Sequence, residues 1–253
     1  MGGGRLEIWI ASCSLLSLRV MPMFLLAPPF TLLRVPRLFT VLMSVGFAAA
    51  LLSAMPQSLW LRHVDAGILA IGALREFFVG LVPVVALQLL FGALYVVGRT
   101  IDVQAGFGLA MLIDPTTRGQ MPLVGTLFAY ALGITFFAVG GHHDLLLFFA
   151  ASLRAVPLAA AHGLGGVGPL AAYAAAVAMI ALGVGAAVIA VLLLTDVVIA
   201  LLSRTVPQMN ALMLGIQVKV VVMLLAMPIA LGLSGALFMR LVAMALETMP
   251  RLL

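Results

Sequence analysis

Charged residues in this chain stand singly between long apolar runs. No Asp, Glu, Lys or Arg occurs in residues 38–61, 77–98, 119–141 or 220–239. Residues 155–195 form a longer uncharged run, interrupted by Pro157, His162 and a glycine cluster. A helix needs about 20 mostly apolar residues to cross a hydrocarbon core of about 30 Å, so each run is long enough. The runs are continuous rather than alternating in polarity, and Leu and Ala dominate them, which favours helices over membrane strands. Residues 8–33 are apolar apart from Arg19 and contain Pro22, Pro28 and Pro29. A signal peptide would end its apolar stretch at a small-residue cleavage site. None stands before Arg19, so this stretch is read as a retained, broken helix. The pattern predicts an all-α membrane protein of about six kinked hydrophobic helices.

The polar interruptions carry the next layer of information. Arg75-Glu76 is expected to divide residues 66–98, Asp196 and Arg204 stand beside the longest run, and Lys219 is expected to separate the last two segments. A charge facing lipid at mid-membrane costs about 2.5–3.5 kcal/mol on insertion scales. These residues must therefore snorkel, pair, or face protein or water. Positive charge is spread almost evenly between the loops, so it assigns no orientation. The segment from Gly163 to Pro169 is the best joint in the chain. After it come two long apolar helices joined near Arg204 to Pro207, a hairpin. Its first helix carries Ala174 and Ala178, Ala181 and Gly185, and Gly183 and Ala187, pairs of small residues four apart. Such spacing lets helix backbones approach closely in a membrane. The face serves either partner subunits or packing within the chain.

Composition narrows the function. Of 253 residues 65% are hydrophobic and 8% charged, and the mean hydropathy is +1.30. A soluble domain carries about a quarter charged residues, so an ordinary soluble enzyme and a disordered chain are excluded. The net charge of +5 comes from isolated arginines that suit membrane ends, not from a basic cluster for nucleic acid. The single cysteine, Cys13, excludes an intramolecular disulfide and is read as an apolar packing residue.

Catalytic patterns are missing. There is no His-Glu-x-x-His, Walker lysine loop or Gly-x-Ser-x-Gly. Gly163, Gly165 and Gly168 match a dinucleotide fingerprint by spacing alone, without the strand and acidic residue it requires. His142-His143-Asp144 is the densest cluster of metal-ligand types, but adjacent histidines on a helix point about 100° apart. Asp144 is expected to cap a helix over 145–156. No catalytic residue, metal site or cofactor is expected.

Two segments remain. Between Gly98 and Pro122, apolar Phe107, Leu109, Met111, Leu112 and Ile113 alternate with Gly106, Gly108, Asp102 and Asp114. Irregular backbone at membrane depth survives only inside protein or lining an aqueous cavity. The segment is either a pore-lining or re-entrant seal, with Met and Phe as deformable contacts, or a surface loop turning at Asp114-Pro115. The second segment runs from Asp196 to Lys219. Asp196 and Arg204 lie eight residues apart, about 12 Å along a helix, too far to pair. Lys219 on the returning helix is the geometric partner for Asp196; a proton-relay role is the other reading.

The run Asp196…Arg204-Thr-Val-Pro207-Gln208-Met-Asn210…Lys219 resembles the signature of the FliR family, the R/T subunit of the type III secretion export gate. The resemblance continues through Gly98…Ile101-Asp102…Gln104…Gly106, Asp114-Pro115, Gly141-His142-His143…Leu146 and Ser152…Pro157. Arg19…Pro29-Phe30…Arg34-Val35-Pro36 and Glu76…Gly80 fit as well, so it covers essentially the whole chain. The His-His after Gly141 points to the flagellar branch rather than the injectisome.

The resemblance implies a non-enzymatic, cofactor-free subunit in the bacterial inner membrane, within the flagellar basal body. Its implied partners are the P and Q export-gate subunits, a B-type switch subunit, other basal-body export components and, transiently, exported unfolded proteins; no nucleic acid is involved. The implied fold is a P-like portion, residues 1–165, fused to a Q-like hairpin and C-terminal helix, residues 166–253. The resemblance also assigns a plug in the closed pore to residues 106–120: Gly106, Phe107, Gly108, Met111, Ile113, Asp114 and Pro115, with Met121 at its edge. Asp102, Asp196, Arg204, Gln208, Asn210 and Lys219 become structural or gating polar residues. A stand-alone proton or solute transporter, coupled through Asp102, Asp196, Arg204 and Lys219, is the competing class.

Overall fold

A computed structural model describes residues 3–33, 35–61, 64–107, 122–160, 166–205 and 211–253. The described residues form α-helices and short 3₁₀ turns, with no strand among them. The helices are α1 (Gly3–Leu26), α2 (Arg37–Ala54), α3 (Ala66–Gln104), α4 (Leu123–Ala138), α5 (Gly141–Ala155), α6 (Val167–Thr205), α7 (Ala211–Leu233) and α8 (Gly235–Leu252). Five described helices are long and apolar enough to cross a membrane, and α4 with α5 would make a sixth, broken span. This is an all-α membrane protein.

Local chemistry explains where the helices stop. Pro28-Pro29 follows α1, Pro36 precedes α2, and Pro56 and Pro157 follow the ends of α2 and α5; a proline pushes the residue before it out of the helical region. Gly140 takes φ +84 between α4 and α5, and a side chain on Gly141 would run into the ring of Phe136, 2.6 Å from its Cβ position. Pro22, Pro83 and Pro228 lie inside continuous helices, which membrane helices tolerate when the freed carbonyls find other partners. Hydroxyls are turned inward on their own helices: Ser44 bonds to the Thr40 carbonyl at 2.8 Å, Thr195 to Val191 at 2.8 Å and Ser234 to Ala230 at 2.7 Å. Each satisfies a polar group without water.

Three expectations change. Arg75-Glu76 does not divide its segment, because α3 runs unbroken through it. Both residues form helices readily, and both find partners for their charges, described below. Lys219 does not separate two segments either; it lies within α7, and the break falls at Ser234 instead. Asp144 is not a cap. The left-handed Gly140 occupies that position, and Asp144 sits in the first turn of α5, where a carboxylate suits the helix dipole.

The chain divides into two compact units. The first contains Met1–Leu89, Phe136–Tyr173 and Ala243–Leu253. Its core holds Leu16, Val20, Met23, Leu52, Leu87, Phe149 and Leu153. An edge-to-face aromatic group joins Phe24 and Phe30 at 5.1 Å, Phe30 and Phe137 at 5.9 Å, and Phe136 and Phe137 at 5.4 Å. Cys13 is a buried packing residue here. The second unit contains Leu90–Thr135 and Ala174–Val242. It buries Leu94, Ile101, Phe128, Leu132, Ala181, Val188, Leu192, Met223 and Leu241. On α6 the buried set Val177, Ala181, Val184, Val188 and Leu192 recurs at helical spacing. The small pairs of α6 therefore divide: Ala181 and Gly185 face their own chain, whereas Ala178, Gly183 and Ala187 are exposed.

Candidate functional site

The polar side chains that interrupt the apolar runs assemble into three separate groups. The first is buried in the first unit. Arg19 on α1 is fully inaccessible and Glu76 on α3 is 2% exposed, and they form an ion pair. The guanidinium donates further to Ser152 Oγ at 3.2 Å and to the Val156 carbonyl at 2.9 Å. Val156 ends α5, so its carbonyl is one of those left without an intrahelical partner. The second oxygen of Glu76 accepts from the Ala159 amide at 2.9 Å, and neighbouring Arg75 donates to the Ala159 carbonyl at 3.0 Å. Gly80, one turn beyond Glu76, makes the arrangement feasible: a Cβ there would overlap the Arg19 carbonyl. A buried ion pair of this kind contributes little net stability, but losing one partner costs about 3–5 kcal/mol. Its effect is to hold α1, α3 and the end of α5 in one arrangement.

The second group fastens the end of α3 to the start of α4. Asp102 is 1% exposed, and its carboxylate accepts from the Val124 amide, at 3.2 Å and 3.3 Å to its two oxygens. That amide belongs to the first turn of α4, which has no intrahelical acceptor. One helix thus caps another across the sequence. Gly98, one turn before Asp102, lies directly against Gly125, with no room for a Cβ between the backbones. Beyond Asp102 the helix closes in a Schellman arrangement. Gly106 takes φ +96, its amide donates to the Val103 carbonyl at 3.1 Å, and the Phe107 amide donates to the Asp102 carbonyl at 3.0 Å. Residues 98–107 and 122–125 therefore form a fixed stem around the segment between them. Gly108, Met111, Ile113, Asp114, Pro115 and Met121 lie in that segment, outside the described residues.

The third group is on the α6–α7 hairpin. Lys219 Nζ pairs with Asp196 Oδ1, the partner that helical geometry singled out. Lys219 is 20% exposed and Asp196 44%, and Val197, Val198, Leu193 and Leu194 around Asp196 are exposed. The pair is thus an ionic island in an apolar surface. Arg204 is exposed in the last turn of α6, where a cation suits the helix dipole. Gln208 and Asn210 lie outside the described residues.

His142 and His143 are exposed at the start of α5. His143 Nδ1 stands 3.8 Å from Asp144, and the His142 ring lies 5.7 Å from that of Phe137. No group of three His, Cys, Asp or Glu able to hold a metal occurs among the described residues.

The sequence reading met Arg19 and Glu76 as charges within apolar stretches and Gly80 and Ser152 only within the family resemblance, and the fold brings all four together. It missed Ala159, Val124 and Gly125, which contribute backbone rather than side chains and so leave no chemical trace in the sequence. It also missed the Tyr173 hydroxyl, which donates to the Ala86 carbonyl at 2.9 Å.

The profile of the family described as "Bacterial export proteins, family 1" matches residues 10–245. "Flagellar biosynthetic protein FliR" of Bacillus subtilis (strain 168) is 31% identical over 186 residues, 72% of this chain and 71% of the relative. The protein of the same description from Aquifex aeolicus (strain VF5) is 28% identical over 163 residues, 62% of each chain. "Surface presentation of antigens protein SpaR" of Shigella sonnei is 30% identical over 145 residues, 57% of this chain and 56% of the relative.

Proposed function

Since the chain belongs to family 1 of the bacterial export proteins, we propose that it is a structural and gating subunit of a type III protein export gate, in the inner membrane of a flagellar basal body. The match over residues 10–245 carries this reading. Support comes from the apolar surface that the chain leaves uncovered. Only 22% of the most apolar stretch of α2, 33% of that of α6 and 22% of that of α7 is buried within the chain. Leu194, Leu201, Leu225 and Ile229 stand more than half exposed. Such a surface needs lipid or apolar partner protein.

On this reading the P and Q subunits cover those faces, a B-type switch subunit wraps the assembly, and unfolded subunits pass outward through it. Residues 1–165 act as the P-like portion and residues 166–253 as the Q-like hairpin with its C-terminal helix. The segment 106–120, held at its stem by Asp102 and Gly106, acts as the plug of the closed pore. Asp196 and Lys219 serve as a structural pair, and Arg204, Gln208 and Asn210 as further structural or gating polar residues.

Injectisome membership is the second reading, and the Shigella relative favours it. The flagellar branch is preferred because the Bacillus relative aligns over more of the chain, 72% against 57%. A stand-alone transporter is disfavoured by the carboxylates themselves, since Asp102 is engaged by the Val124 amide and Asp196 by Lys219.

Co-purification tests the proposal. The full chain, extracted from membranes in mild detergent and isolated through a tag, should bring down flagellar P and Q subunits in a defined complex. Recovery of injectisome partners would select the second reading. Recovery of the chain alone, active in solute uptake after reconstitution, would overturn both.

A further inference from the structure

Ala159 is the one non-glycine residue with positive φ among the described residues, at φ +60. It lies in a turn closed by the Ala160 amide on the Pro157 carbonyl at 3.1 Å. A positive φ at the third position of such a turn ordinarily requires glycine. An alanine there persists only where its surroundings over-determine it.

Here the surroundings are two adjacent residues of α3. Glu76 takes the Ala159 amide and Arg75 takes its carbonyl. Gly72, one turn earlier on the same face, leaves space for the methyl group, since a Cβ there would lie 3.0 Å from that of Ala159. Glu76 is itself locked by Arg19, which also holds Ser152 and Val156 at the end of α5. Both backbone groups of one strained residue are therefore gripped by opposite charges. The turn is set by the ionic group, not by its own residue preference.

We propose that Arg75 and Glu76 are positioning residues for the exit of α5. They hold Ala159 left-handed, so the chain leaves α5 along one path, and only while Arg19 is seated. An alanine makes the path conditional on the charges; a glycine would make it intrinsic. This rests on the export-gate reading only for its consequence, the placing of the connection between the P-like and Q-like portions.

The test uses the full chain purified from membranes and hydrogen exchange at the Ala159 amide. Arg75→Ala should speed exchange about 5- to 30-fold, the equivalent of the roughly 1–2 kcal/mol that an L residue loses in the left-handed region. Adding Ala159→Gly to Arg75→Ala should restore protection, and adding it to Glu76→Gln should restore part of it. Ala159→Val should weaken protection by itself. Because Arg75 is exposed, its variant remains informative if loss of the buried carboxylate prevents folding. Unchanged exchange in Arg75→Ala, or no rescue by Ala159→Gly, would overturn the positioning role. Export in cells is a separate measurement: Ala159→Gly should rescue export lost in Arg75→Ala. Isolation of the chain without gate partners would defeat the export reading and leave the exchange result standing.

Discussion

Gly185 on α6 lies against Val97 of α3 so closely that a Cβ would overlap the valine methyl group. Ala178, two turns earlier on the same helix, is exposed. The two substitutions should therefore separate folding from assembly. Gly185→Val overpacks the second unit and should destabilise the chain by about 1–3 kcal/mol, read as a lower Tm of the detergent-solubilised protein. Ala178→Leu should change the stability by no more than about 0.5 kcal/mol, leaving Tm nearly unmoved, yet lower the yield of the complete complex. Normal complex yield with Ala178→Leu would mean that this face touches lipid, not protein. Small residues four apart were legible in the sequence; which of them turn inward was not. That depends on which face of α6 carries the buried Val177, Ala181, Val184 and Val188, a property of the folded packing. Ala159 was hidden for a related reason, because nothing about an alanine signals the backbone angle imposed on it.

The hairpin formed by α6 and α7 joins two long apolar helices that carry one ion pair between them. In water such a pair is worth little, but Asp196 and Lys219 sit in a surface of exposed valine and leucine. A double-mutant cycle with Asp196→Asn and Lys219→Ala should give a coupling of about 1 kcal/mol in unfolding free energy, with Asp196→Asn partly restoring the complex yield lost in Lys219→Ala. Strict additivity would show that the pair does not act as a unit. Most helices could be read from the chain, because uncharged runs of membrane length leave little alternative. The errors came where charge was taken as a boundary. Arg75-Glu76 and Lys219 continue their helices because each charge finds a partner, and partners come from distant sequence. The break at Ser234 passed unnoticed, since no proline or charge marks it.

Arg19, Glu76 and Asp102 are buried with partners, Asp196 and Lys219 are paired, and much of the apolar surface of α2, α6 and α7 is left uncovered, the reverse of a soluble protein. That inversion suits a chain surrounded by lipid and sister subunits. If residues 106–120 plug the pore, their deletion should leave the complex assembled but make the membrane permeable to small ions. Unchanged permeability in cells making the deleted protein at normal level would remove the plug role. The polar residues flanking this segment were legible, but the job of Asp102 was not, because its partner is a main-chain amide at Val124.

That single carboxylate has a further consequence. By tying α3 to the first turn of α4, it brings the two borders of the intervening stretch to neighbouring points whatever lies between them. Closure entropy rises only with the logarithm of length, about 0.6 kcal/mol for each doubling. An epitope or fluorophore-binding peptide inserted in this stretch should therefore leave the helices on either side little changed, so that whatever the insertion does to permeability reports on the stretch itself.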